Sequence, residues 1–287
     1  MIDLHCHSTA SDGSLTPTQL LQAAAKIQLK ALALTDHDTL DGLPEFLNAA
    51  RSFDVEAVPG IELAACEPNN RARNYHILGL FLDGDDARMR SLLADVIRWR
   101  NERNLEILKK LKALGYAITM EDALAQCGGE VLGRPHIASA LAAKGYVKDV
   151  RDAFERLLAS GKPGYASRQL PTPGAAIAAI HSMGGLAIWA HPFTRGHYTN
   201  LQMRRIGVEL KDHGLDGIEA HYPLHTLTQT RVALQMAKEL GLLVTGGSDY
   251  HGIRFKHVEL GVGYGSLKVP DELYEALKEQ KRKRSFR

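Results

Sequence analysis

Short apolar runs alternate with amphipathic stretches at both ends of the chain, and the alternation is broken once. Runs at residues 2–6, 31–34, 56–61 and 76–81 predict strands, and residues 17–28 and 43–52 carry the longer period of helices. Thr16-Pro17 opens the first helix with a capping hydroxyl and a proline at its first position. Residues 86–114 then predict one long helix, with Leu92, Leu93, Val96, Ile97, Leu105, Leu108 and Leu111 near a 3.6 period and Gly115 closing it. Residues 121–126, 135–144 and 150–160 are helical in pattern with no strand between them. After Gly161-Lys162-Pro163-Gly164 the alternation returns: helices at 172–183, 201–213 and 226–240, strands at 186–190, 217–220 and 242–245. Roughly seven buried parallel strands separated by helices describe an α/β barrel of the TIM type, interrupted by a helical insert. The expected domains are a barrel of residues 1–85 and 165–287 and an insert of residues 86–164.

Composition narrows the class. A chain of 287 residues with 45% hydrophobic and 24% charged positions can bury one large core and a smaller one. A net charge of +2 gives no global attraction to nucleic acid or a membrane. The basic run from Lys278 to the C-terminus reads as the solvated end of a last helix. Three cysteines without a spaced pair argue for a reducing compartment and against a thiolate zinc site. A strand beginning at residue 2 leaves no room for a signal peptide, and no apolar stretch is long enough to span a bilayer. The expectation is a cytoplasmic enzyme.

Its chemistry lies where the apolar runs end. His5-Cys6-His7 sets two imidazoles on one face of a strand, with Cys6 turned into packing. Thr35-Asp36-His37-Asp38, Gly60-Ile61-Glu62, Ala190-His191-Pro192 and Gly247-Ser248-Asp249-Tyr250-His251 also end hydrophobic runs with metal-capable groups. Asp36 reads as a support to these ligands, and Asp38 as the N-cap of the helix near Leu43. Ser11-Asp12-Gly13 has a turn reading beside a ligand reading. His76, in Tyr75-His76-Ile77, fits less well because it begins its predicted strand instead of ending it. His181, His197, His213, His221, His225 and His257 have no evident partners and default to surface or packing.

In this order the motifs resemble the PHP (polymerase and histidinol phosphatase) family, a relative of the amidohydrolases, over nearly the whole chain. The resemblance implies a distorted (β/α)7 TIM-like barrel, with the insert covering the active site. It also implies two or three divalent ions, manganese first, iron or zinc otherwise. By position, one ion would take His5, His7, Glu62 and Asp249; a second would share Glu62 and add His76 and His191; a third would take Asp12, His37 and His251. Asp12, His37, Glu62 and Asp249 are thereby placed at the reacting centre. Paired ions can share a hydroxide of lowered pKa, clamp phosphoryl oxygens and neutralise the leaving oxygen, which suits phosphate-ester hydrolysis. No Gly-x-Ser-x-Gly nucleophile elbow is present.

The insert must select the ester. Gly133-Arg134-Pro135-His136 offers a guanidinium at a helix start, a natural clamp for phosphate, with His136 beside it. Asn101 and its neighbours on the long helix offer further donors, and Arg195 follows His191 closely enough to touch substrate. The arrangement is most similar to the branch containing 3′,5′-nucleotide bisphosphate phosphatases and short-RNA 5′-to-3′ exonucleases. The expected reaction removes the 3′-phosphate of a nucleoside 3′,5′-bisphosphate such as pAp, leaving the 5′-monophosphate, on a small nucleotide and with no stable nucleic-acid complex or membrane partner. Alternatives are 5′-to-3′ hydrolysis of short 5′-phosphorylated RNA, histidinol phosphatase action, for which the insert shows no acidic group, and a non-catalytic metal-binding module.

Overall fold

The computed structural model describes every residue except 69, 127–131, 195, 197, 255–256 and 286–287. The elements follow the alternation closely: β1 (Ile2–Asp3), α1 (Pro17–Lys26), β2 (Ala31–Leu34), α2 (Leu43–Ala50), β3 (Glu56–Glu67) and β4 (Asn70–Leu80). The helical stretch comprises α3 (Ala87–Ala113), α4 (Met120–Leu124), α5 (Arg134–Ala143) and α6 (Val150–Ala153), the last continued by a π-helical turn, Phe154–Leu158. Then come α7 (Pro173–Ser182), β5 (Leu186–Trp189), α8 (Asn200–Asp212), β6 (Gly217–His221), α9 (Leu227–Leu240), β7 (Leu243–Gly246) and α10 (Asp271–Ser285). Caps fall where the polar residues require: Thr16, Thr172, Thr199 and Thr226 each accept a backbone N–H of the helix they precede.

Seven strands pair in sequence order. The ring closes beyond the ends of β1 and β7. Leu4 N donates to Gly246 O (3.2 Å), Asp249 N to His5 O (2.9 Å) and His7 N to Tyr250 O (2.9 Å). The sheet is not wholly parallel, contrary to the sequence expectation: β4 runs antiparallel to both β3 and β5. This reversal removes the difficulty over His76. The strand also begins at Asn70, not at His76, so the residue lies within it and pairs with Ala64, two positions beyond Glu62. The result is a distorted TIM-like barrel whose ligand rim includes the middle of one reversed strand.

Alternation along β2 divides two cores. Ala31 and Ala33 join Ile2, Leu4, Val58, Leu78 and Ile188 inside the ring, closed off by Tyr274 and Leu277 of α10. Leu32 and Leu34 pack outside it with Leu20, Leu21 and Phe46 of α1 and α2, and Cys6 joins them. The chain divides into two compact units, Met1–Leu93 with Pro171–Arg287, and Ala94–Leu170. The second has its own core, including Ile107, Leu111, Ile137, Leu141, Leu157 and Leu158. No helix among the described residues is long and apolar enough to cross a membrane.

The basic C-terminal run is less idle than a solvated helix end. Arg284 donates to both carboxylate oxygens of Asp216 and to Gly185 O, and Lys278 pairs with Glu56. Asp216 also faces His181 Nε2 at 2.8 Å and accepts from Ala187 N at 2.8 Å, so His181 has a partner after all. Burial alone would raise the Asp216 carboxyl; His181, the Ala187 amide and Arg284 outweigh it and hold it below its ordinary 3.8. A depressed folded-state pKa stabilises the fold fully above the unfolded value, and that share is lost as pH falls through the folded one. Asp216→Asn should therefore cost about 2 kcal/mol at neutral pH and much less under strong acid. Urea unfolding across pH checks this, and equal loss at both ends of the range contradicts it.

Candidate metal centre

Three groups of side chains converge at the rim. His5, His7, Glu62 and Asp249 form the first, His7, Asp12, His37 and His251 the second, and His37, Glu62 and His76 the third. Within the first, His5 Nε2 lies 3.4 Å from Glu62 Oε2 and 3.3 Å from Asp249 Oδ1, and His7 Nε2 lies 3.3 and 3.1 Å from the same two atoms. Atoms bound at about 2.1 Å to one tetrahedral ion stand roughly 3.4 Å apart, so the spacing suits a shared cation. His37 Nδ1 approaches Glu62 Oε2 at 2.9 Å, and His251 Nε2 approaches Asp12 Oδ1 at 3.3 Å. Glu62 Oε1 faces both His76 Nδ1 and His191 Nε2, the latter at 2.9 Å. The carboxylate expected to bridge is thus the meeting point of five imidazoles. The structure also brings His37 to the group that the sequence reading assigned to His76 and His191.

Backbone geometry serves this convergence. His191 and Asp249 have positive φ, +27° and +53°, a conformation that non-glycine residues seldom adopt. Asp36 ties down the loop carrying Asp12, accepting from Ser8 N (2.7 Å), Ser8 Oγ (2.6 Å) and Ser11 Oγ (2.5 Å). That is the supporting role read for it. Asp38 departs from its reading. It does not cap α2, whose N-cap is Gly42; at φ +55° it receives the Ala64 N–H on Oδ1 and gives its own N–H to Glu62 O.

Electrostatics test the fit to cations. His5, His7 and Glu62 are wholly buried, whereas the Asp12 side chain is 40% exposed, so the cluster opens on the Asp12 side. Burial would lower the His7 imidazole, but Asp249 and Glu62 override it and push it up to about 10. Burial would raise Glu62; His76, His37 and His5 hold it well below the carboxylate range instead. The pocket therefore demands positive charge. Among the described residues, His5 Nε2, both ring nitrogens of His7 and Glu62 Oε2 are buried without a hydrogen-bond partner, a cost that divalent ions on those atoms would remove. Nitrogen and oxygen donors in this mixture fit borderline and hard dications.

The insert holds a second charged group within its own unit. Arg103 is buried; burial first, then Arg134, Arg168 and Arg100, push its guanidinium down to about 9. Its Nε has no hydrogen-bond partner among the described residues. The Arg134 guanidinium lies 5.8 Å from the Phe154 ring centroid and 5.7 Å from that of Tyr165, and donates to Leu158 O at 3.4 Å. Guanidinium groups gathered this closely are suited to binding an anion. Arg168 was not singled out in the sequence because no motif surrounds it. His136 spends Nδ1 on capping α5, accepting from Gly133 N at 2.9 Å, and Asn101 is exposed on α3. Arg195 lies outside the described residues.

Residues 3–164, over half the chain, match the PHP domain family. The chain belongs to the PHP family. It is 38% identical over 249 residues to a 5′-3′ exoribonuclease of Haemophilus influenzae, covering 87% of this chain and 89% of that one. It is 34% identical over 253 residues to a 3′,5′-nucleoside bisphosphate phosphatase of Chromobacterium violaceum, covering 87% of each. The solved structure of a protein from Bifidobacterium adolescentis named as a metal-dependent phosphoesterase superposes with a TM-score of 0.82 at 29% identity, over 96% of this chain and 94% of that one. This PHP protein is a hydrolase of the metal-dependent phosphoesterase class.

Proposed function

We propose that the chain is a 3′-phosphatase of nucleoside 3′,5′-bisphosphates. The observation that supports this reading most is the cation-demanding cage of His5, His7, Glu62 and Asp249, in a chain that is 34% identical to the Chromobacterium violaceum bisphosphate phosphatase. His5, His7, Glu62 and Asp249 would hold one ion, Asp12, His37 and His251 another, and Glu62 with His76 and His191 a third. Bound there, divalent ions supply Lewis acidity toward phosphoryl oxygens and lower the pKa of bound water. The protein's own share is positioning. Glu62 and Asp249 stay ionised among the imidazoles, and Asp12 stands at the open side on a loop fixed by Asp36. Arg134 is the candidate grip for the 5′-phosphate. Five-prime-to-three-prime hydrolysis of short RNA is the second reading, favoured by the likeness to the Haemophilus influenzae exoribonuclease.

Phosphate release with added manganese from pAp, 3′-AMP, 5′-AMP, histidinol phosphate and a 5′-phosphorylated dinucleotide separates the readings. Fastest turnover of pAp is expected, and preference for the dinucleotide would install the exonuclease instead. Arg134→Ala should lower kcat/KM on pAp roughly 10- to 100-fold while leaving an aryl phosphate within about threefold of wild type. Equal losses on both would show that this guanidinium does not read a second phosphate.

A further inference from the structure

Strand β6 gives no member to the three ligand groups, yet it carries a buried carboxylate aimed at them. Glu219 is fully buried, with Oε1 3.0 Å from His5 Nδ1 and Oε2 accepting from His191 N at 2.7 Å. An acceptor oxygen beside Nδ1 favours the tautomer with the ring proton there. The Nε2 lone pair of His5 is then presented to Glu62 Oε2 and Asp249 Oδ1. The same side chain fixes the backbone of His191, the residue held at φ +27°. One carboxylate therefore sets a ring in the first ligand group and the main chain of a residue that meets Glu62 from the other side.

Just beyond the strand, the Tyr222 hydroxyl donates to Asp249 Oδ2 at 2.8 Å. Oδ1 is left facing His5 and His7. The two supports come from one short segment because the β6–β7 register shifts between Glu219 and His221. Such an irregularity re-aims the side chains that follow it and is common beside functional sites.

We infer that Glu219 and Tyr222 are positioning residues, which set the cation affinity of the His5–His7–Glu62–Asp249 group by fixing the His5 tautomer and the Asp249 rotamer. The inference rests on that group holding a divalent ion. It adds two residues that act on the ion through its ligands.

The test uses the full chain loaded with Mn²⁺, in wild type, Glu219→Gln and Tyr222→Phe. A chelator competition measures ion affinity, kcat is measured at limiting and at saturating Mn²⁺, and thermal unfolding is followed in the metal-free state. Glu219→Gln should weaken Mn²⁺ binding roughly 10- to 100-fold, and Tyr222→Phe should weaken it in the same direction. Saturating Mn²⁺ should restore most of kcat, with metal-free unfolding little changed. Affinity equal to wild type in both variants overturns the inference. So does a loss that saturating Mn²⁺ cannot restore and that tracks a weakened metal-free fold, since that marks a structural role. If Glu219→Gln fails to fold, Tyr222→Phe decides alone: it removes one hydroxyl, and unchanged affinity overturns the proposal for both. Failure of the metal reading is separately visible as wild-type protein that takes up no Mn²⁺, which overturns both.

Discussion

Glu62→Gln is expected to abolish nearly all turnover, by roughly 10³-fold or about 4 kcal/mol in the barrier, and to lower the bound-metal content of the purified protein. The size follows from what meets at this one carboxylate. Its Oε2 faces His5, His7 and His37, and its Oε1 faces His76 and His191, so removing the charge strips a shared ligand from every group but the one built on Asp12. An amide of the same shape keeps the packing, so the loss should register in metal analysis and kcat before it registers in unfolding. A variant that keeps its full metal content and more than about a tenth of wild-type activity would remove Glu62 from the centre of the chemistry.

Gly247→Ala should have the largest effect on folding. A Cβ built at Gly247 stands 2.4 Å from His5 Cβ and 2.5 Å from His5 N, at the seam where the last strand meets the first. Neither contact is a flexible side-chain end that could swing aside, so the two chain segments must part. A cost of about 3 kcal/mol is expected, together with displacement of the His5 imidazole and loss of activity. Thermal unfolding and phosphatase assays on the same preparation check it. Wild-type stability would mean that the seam is looser than its hydrogen bonds indicate.

Much of this architecture could be read before any coordinates. The helix starts at Pro17, Pro173 and Leu227 follow from threonine caps and prolines, which are local signals. The ligand residues were legible because imidazoles and carboxylates repeatedly end apolar runs, a pattern that tertiary convergence alone makes sensible. The direction of β4 was not legible. A buried strand has the same composition whichever way it runs, and only its partners reveal the reversal that brings His76 beside Glu62. Glu219 was missed for a related reason. A lone acid in Gly217-Ile218-Glu219-Ala220 belongs to no motif, and its meaning comes from His5, 214 positions away. Asp38 was misread because an acid just before a helix ordinarily caps it, whereas here the backbone turns to positive φ and the side chain joins the sheet.

The reversed strand also orders events during synthesis. Glu62 and His76 sit on neighbouring strands of one hairpin, so that pair can assemble locally and early. His5 and His7 must wait for Asp249, which is made some 240 residues after them. An ion held by His5, His7, Glu62 and Asp249 would therefore enter only once the first and last strands of the ring had met. Metal occupancy would then report that the ring had closed.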